Sequence, residues 1–103
     1  MSMNSSMKKM LRDAQKMQRE IEAKQKELAE TEYEITKGGG VTVVFTGDRQ
    51  MQSIKIDPEL LESENAEMLE EMIKLAVNEI LETIQEDEDE INESVTGQAG
   101  GFF

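Results

Sequence analysis

Hydrophobic positions along the chain fall into three regimes. From Met7 onward, Met7, Met10, Ala14, Met17, Ile21 and Leu28 recur at alternating spacings of three and four, with Met3 one step earlier and Lys24 the single polar intruder. That is the narrow a/d seam of a coiled-coil helix. Neither Gly nor Pro interrupts it before Gly38, so the pattern predicts a helix over 7–31, capped by Asn4, Ser5 or Ser6. Between 32 and 57 the period drops to two. Val41, Val43 and Phe45 alternate with Thr42 and Thr46, and Val44 breaks the alternation, which suggests a partly covered second face. Met51–Ile56 follows as another strand with Ile54 and Ile56 on one face. Gly38-Gly39-Gly40 and the Gly47–Gln50 segment supply the turns.

The third regime starts at Asp57-Pro58, a capping residue followed by a proline suited to a first helical position, so a short helix is expected over 58–62. Ser63-Glu64-Asn65 reads as a joint, with Asn65 as the next cap. Leu69, Met72, Ile73, Ala76, Val77, Ile80, Leu81 and Ile84 then form a broad face at 3.6-residue spacing, predicting a helix over 66–93. The chain therefore reads as an α+β protomer of order α-β-β-β-α, a three-stranded antiparallel meander flanked by two long helices. One domain is expected over 1–95 and a flexible tail over 96–103, ending in Phe102-Phe103.

With 103 residues the core must be small. The seam of the first helix outruns strands of about five residues, so either it covers the chain's own meander only in part or it meets a second copy. The second reading makes the protein an intertwined homodimer, with Met10, Ala14, Met17, Ile21, Val43, Phe45, Ile54 and Ile56 in its core and dimer contact.

Charge divides the chain further. The formal net charge is −12, yet 1–26 holds seven Lys and Arg against Asp13, Glu20 and Glu22, while from Asp57 onward Lys74 is the only cation among 15 acids. Lys8, Arg12, Lys16 and Arg19 step by four, four and three along one face of the first helix, with Lys9 beside them and Lys26 continuing the line. The plain reading is a solvated face. The functional reading is a ridge that follows a phosphate backbone. Beyond Ile84 the five consecutive acids Glu86–Glu90 sit badly at a helix's negative end and are expected to bury nothing.

Catalysis finds little support. The chain has no His and no Cys, and its Ser and Thr residues have no evident partner base. The Gly triplet leads into a strand and lacks both phosphate-binding spacings, and the acidic run lacks the spacing and Gly of a calcium loop. No catalytic residue, metal ligand or cofactor is expected. Residues 1–20 lack an apolar signal core and no run is long enough to span a bilayer, so a cytoplasmic binding protein without membrane contact is expected.

Three segments carry a resemblance: Ala14-Gln15-Lys16-Met17-Gln18, the strand Val41–Gly47 with its V-x-V-x-F-x-G pattern, and Ile54-x-Ile56-Asp57-Pro58-x-Leu60-Leu61. Together with Glu67–Glu71 they resemble the YbaB/EbfC family of bacterial nucleoid-associated proteins, over roughly 7–95. The resemblance implies a homodimer with projecting helices that binds duplex DNA in the nucleoid, without catalysis or cofactor, and points to Lys8, Lys9, Arg12, Lys16 and Arg19 as the DNA-binding residues. One departure stands out. Relatives often carry Lys or Arg late in the last helix, whereas Glu82–Glu93 has none, so the acidic half is expected to act as a brake on DNA binding. Two alternatives fit the pattern less well: an acidic adaptor for a protein partner of DNA metabolism, and a prefoldin-like chaperone subunit.

Overall fold

The computed structural model describes residues 4–99, with side chains through Glu93; Met3 of the expected seam and Phe102-Phe103 lie outside the described residues. Helix α1 (Ser5–Glu30) leads into strands β1 (Glu32–Lys37), β2 (Val41–Thr46) and β3 (Gln50–Ile56), two 3-10 turns (Pro58–Leu60 and Ser63–Asn65) and helix α2 (Ala66–Ala99). Asn4 caps α1, its side-chain oxygen accepting from the Met7 N–H at 2.8 Å.

The three strands form one antiparallel sheet in the order β1-β2-β3. Gly38 and Gly39 turn the first hairpin at φ 58° and 71°, where a Cβ would be strained. The second hairpin closes through the Thr46 carbonyl accepting from the Arg49 N–H at 2.9 Å, with Arg49 itself left-handed at φ 65°. This is the three-residue loop whose last position usually goes to glycine. A bulge between Val44 and Phe45 leaves Gln52 as the extra residue of β3, because Val44 pairs with Ser53 and Phe45 with Met51. The bulge puts Met51 on the same face as Ile54 although they are three residues apart.

Val41, Val43 and Phe45 of β2 pack against Ala76, Ile80 and Ile84, which step by four along α2. Tyr33, Ile35, Leu60, Leu69, Met72, Ile73, Val77 and Leu81 surround them. Because α2 lies over β1 and β2, the inner face of β3 stays open: Ile54 pairs with Val43, yet remains 40% exposed, and Met51 is 45% exposed.

Helix α1 buries no residue. It leaves the sheet at Thr31, whose carbonyl accepts from the Gly47 N–H at 2.9 Å. The Leu28 carbonyl rests where a Cβ of residue 47 would stand, so only glycine fits there. The molecule is 76 Å long, whereas α2 accounts for about 51 Å at 1.5 Å per residue. Helix α1 therefore points away from the sheet. It runs toward the sheet as α2 runs away from it, so the distal turns of α2 lie antiparallel beside the C-terminal half of α1. Lys24, Glu27 and Leu28 face Asp87, Glu90 and Ile91 across a cleft with Tyr33 at its base.

Three expectations need correction. Helix α2 runs to Ala99, past the end at 93 expected for it; the segment holds no proline, and one interior glycine costs only about 1 kcal/mol. The helix expected over 58–62 is a single 3-10 turn, capped as predicted by Asp57, which accepts from the Glu59 N–H at 3.0 Å. Asn65 ends a 3-10 turn that runs directly into α2, and its amide reaches back to the Glu59 carbonyl at 3.5 Å instead of capping.

Candidate nucleic-acid interface

The five cations singled out by spacing lie on the freely projecting helix. Lys8, Lys9, Arg12, Lys16 and Arg19 are all exposed, and among the described residues none forms an ion pair. At 100° per residue, Lys8, Arg12, Lys16 and Arg19 fall within an arc of about 80° and span about 17 Å of helix. Lys9 sits at the edge of that arc, and Lys26, also exposed, continues it toward the sheet.

The apolar seam runs along the opposite side of the same helix. Its lower part is half-buried at Met17, Ile21 and Leu28, where α2 and the sheet approach. Its upper part is open: Ala14 is exposed, Met10 is 70% exposed, and Met7 and Leu11 are exposed with them. Of the residues expected in the core and dimer contact, Val43 and Phe45 are buried within the protomer, Met17, Ile21 and Ile56 are half-buried, and Met10, Ala14 and Ile54 remain exposed.

The acidic run does something the sequence reading missed. Asp87 accepts a 2.6 Å hydrogen bond from the Tyr33 hydroxyl, and the Arg49 guanidinium donates to Gln85 at 2.9 Å and to Glu88 at 2.7 Å. Lys37 pairs with Glu79 one side over. β1 and the turn after β2 thus each hand α2 a donor, and acids expected to bury nothing hold α2 down. The signal was present: Asp87 and Glu88 lie three and four residues past Ile84, so they continue the buried stripe at helical spacing. Burial of the phenol, then its bond to Asp87 and the negative charge there, pushes Tyr33 up to about 12.

The cations of α1 and the anchoring acids of α2 are thus kept apart. Leu28 lies in the cleft against α2, the half-buried Met17 and Ile21 share its side of α1 at helical spacing, and the basic ridge is on the far side of that seam. Among the described residues no cluster of acids has the arrangement of a metal site, and no helix is long and apolar enough to cross a membrane.

Comparison with known proteins finds relatives along nearly the whole chain. A protein of Lachnoclostridium phytofermentans named a nucleoid-associated protein is 36% identical over 102 residues, covering 98% of this chain and 86% of its own length. Relatives of the same name from Acetivibrio thermocellus and Pelotomaculum thermopropionicum are 42% and 45% identical, covering 90% and 82% of this chain and 83% and 81% of their own lengths. The crystal structure of an uncharacterized protein from Helicobacter pylori shares the fold at a TM-score of 0.65 and 23% identity, over 90% of this chain and 97% of that one. Residues 3–99 match the model of the YbaB/EbfC DNA-binding family, and with relatives this similar along nearly its whole length, the chain belongs to that family.

Proposed function

We propose that the protein is a nucleoid-associated DNA-binding protein that holds duplex DNA as a homodimer, with Lys8, Lys9, Arg12, Lys16 and Arg19 as its phosphate contacts. The single observation that carries this reading is the basic ridge itself: exposed cations, without ion-pair partners among the described residues, on a helix that contributes no buried residue to the fold. Phosphate contacts of this kind position DNA without reading bases, so binding is broad in sequence and steep in salt. The reading is one of binding without chemistry, in the nucleoid and away from membranes.

The dimer is supported by apolar surface that the protomer leaves open. Met7, Met10 and Leu11 on α1, Met51 and Ile54 on β3, and Met68 and Leu75 on α2 are all exposed. A second copy laid along β3 and the seam would cover the first two groups and present two basic ridges to one duplex.

The test is fluorescence anisotropy of a short labelled duplex over a salt series, with sedimentation of the free protein alongside. Expected are a dimer at micromolar concentration and a log–log salt slope of a few units, in line with about one released counterion per contacted phosphate. Sedimentation as monomer only would remove the dimer. Absence of binding at about 50 mM salt would remove the DNA reading and turn attention to an acidic adaptor.

A further inference from the structure

The acids of distal α2 that anchor nothing form a ridge of their own, with the exposed Glu90 at the rim of the cleft against α1. Glu82, Glu86, Glu90 and Glu93 step by four, four and three, the spacing of Lys8, Arg12, Lys16 and Arg19 on α1. Both sets span about 17 Å and an arc of about 80°. All eight residues are exposed, and among the described residues none is in an ion pair. The anchoring acids Glu79, Asp87 and Glu88 are separate residues.

The two ridges cannot meet within one protomer. The helices lie antiparallel with Lys24, Glu27 and Leu28 beside Asp87, Glu90 and Ile91, so Lys8–Arg19 lies further out along α1, on the side opposite its apolar seam. We propose that they meet between copies: the Glu82-Glu86-Glu90-Glu93 ridge of one copy takes the Lys8-Arg12-Lys16-Arg19 ridge of a neighbour. Docked in parallel, equal spacing sets Lys8 against Glu82, Arg12 against Glu86, Lys16 against Glu90 and Arg19 against Glu93. The partner is a second copy of this chain outside the proposed dimer, and the contact is heterologous, so it propagates head to tail.

Screening decides when this contact forms. The chains carry −12 each, and at about 0.01 M salt the Debye length of about 30 Å lets that net charge repel a neighbour as a whole. At about 0.1 M the length is about 10 Å, which silences distant repulsion while adjacent pairs still attract, and at about 1 M it is about 3 Å and the pairs are lost. Association is therefore strongest at intermediate salt. Where the ridge also binds DNA, phosphates and the neighbour's carboxylates compete for the same four cations, so the acidic brake acts between copies; that competition rests on the DNA reading, whereas self-association does not.

The experiment uses the full chain and no DNA. Sedimentation velocity at about 0.1 M and about 1 M salt is run on the parent, on Lys8→Glu/Arg12→Glu/Lys16→Glu/Arg19→Glu, on Glu82→Lys/Glu86→Lys/Glu90→Lys/Glu93→Lys, and on the two variants mixed. The parent is expected to form larger species at the lower salt. Each variant alone loses them, and the equimolar mixture regains them, because the acid-ridged copies and the base-ridged copies now complement each other. The regained assembly also shows that both variants are folded. The milder set Glu82→Gln/Glu86→Gln/Glu90→Gln/Glu93→Gln is expected to weaken association at least tenfold. Species of equal size at both salts, unchanged assembly in the Gln set, or a mixture that stays dispersed would each overturn the proposal.

Discussion

The apolar stripe of α2 is met along its length by a strand, whereas that of α1 runs for most of its length into water. Ala76, Ile80 and Ile84 are fully or almost fully buried, while Met10 at the same kind of position on α1 is 70% exposed. The difference is in the breadth of the stripe. Eight apolar residues on α2 make a face wide enough to cover two strands, and its flanking polar residues Asp87, Glu88 and Glu79 meet Tyr33, Arg49 and Lys37. On α1 a one-residue-wide seam leaves the rest of the surface free for charge. One helix secures the fold and the other is left to reach outward, so loss of stability and loss of binding should separate cleanly between them.

The sharpest way to break that contrast is to truncate both stripes. Ile84→Ala removes a fully buried side chain and is expected to cost about 3–4 kcal/mol in urea unfolding, a large share of the about 5–15 kcal/mol that holds a small domain folded. Met10→Ala should stay within about 0.5 kcal/mol for the isolated protomer. A loss that grows with protein dilution would assign Met10 to the contact between copies.

Next in size is the joint where α1 meets the sheet. Gly47→Ala drives a methyl into the Leu28 carbonyl, and the backbone shift should cost about 1–3 kcal/mol, seen in thermal melts and in loss of amide protection around Thr31. Arg49 comes after it. Arg49→Ala forfeits the bonds to Gln85 and Glu88 while keeping the left-handed backbone, for about 1 kcal/mol of lost stability. Arg49→Gly loses the same bonds but relieves the backbone at φ 65°, so it should be the milder of the two.

The smallest effect is at Tyr33, the only Tyr in a chain without Trp, which makes its ionisation readable from tyrosinate absorbance alone. Its folded value lies near 12 against an ordinary 10.0. A raised value means the folded state holds the proton longer. The stability from this group is therefore complete below pH 10 and lost as pH climbs toward 12. Asp87→Asn should move the titration back toward 10, and a midpoint unmoved by that change would detach Tyr33 from α2.

Much of this was legible in the residues. The switch of period from 3.5 to 2 to 3.6 named the elements, and Val41, Val43, Phe45 and the Ala76–Ile84 stripe named the core. The ridge of cations was visible as spacing, but its freedom from partners was not, because ion pairing depends on which neighbours the fold supplies. Two things were hidden for physical reasons. The bulge at Gln52 re-aims Met51 without leaving a period in the sequence. The anchoring role of Asp87 and Glu88 needed Tyr33 and Arg49, which stand 54 and 39 residues away. That role also changes how the acidic brake must be tested: removing residues 86–103 would strip out the anchors as well as the charge, whereas neutralising Glu82, Glu86, Glu90 and Glu93 leaves them in place.

The central claim, that a helix contributing nothing to the core carries the binding, is tested most directly by measuring both properties on Arg12→Glu/Lys16→Glu. The account predicts a melting temperature equal to the parent's and, in anisotropy against a labelled duplex at about 50 mM salt, affinity lowered at least tenfold with a shallower salt slope. A variant that binds DNA as the parent does would contradict it, and so would one that loses binding only because it has lost its fold.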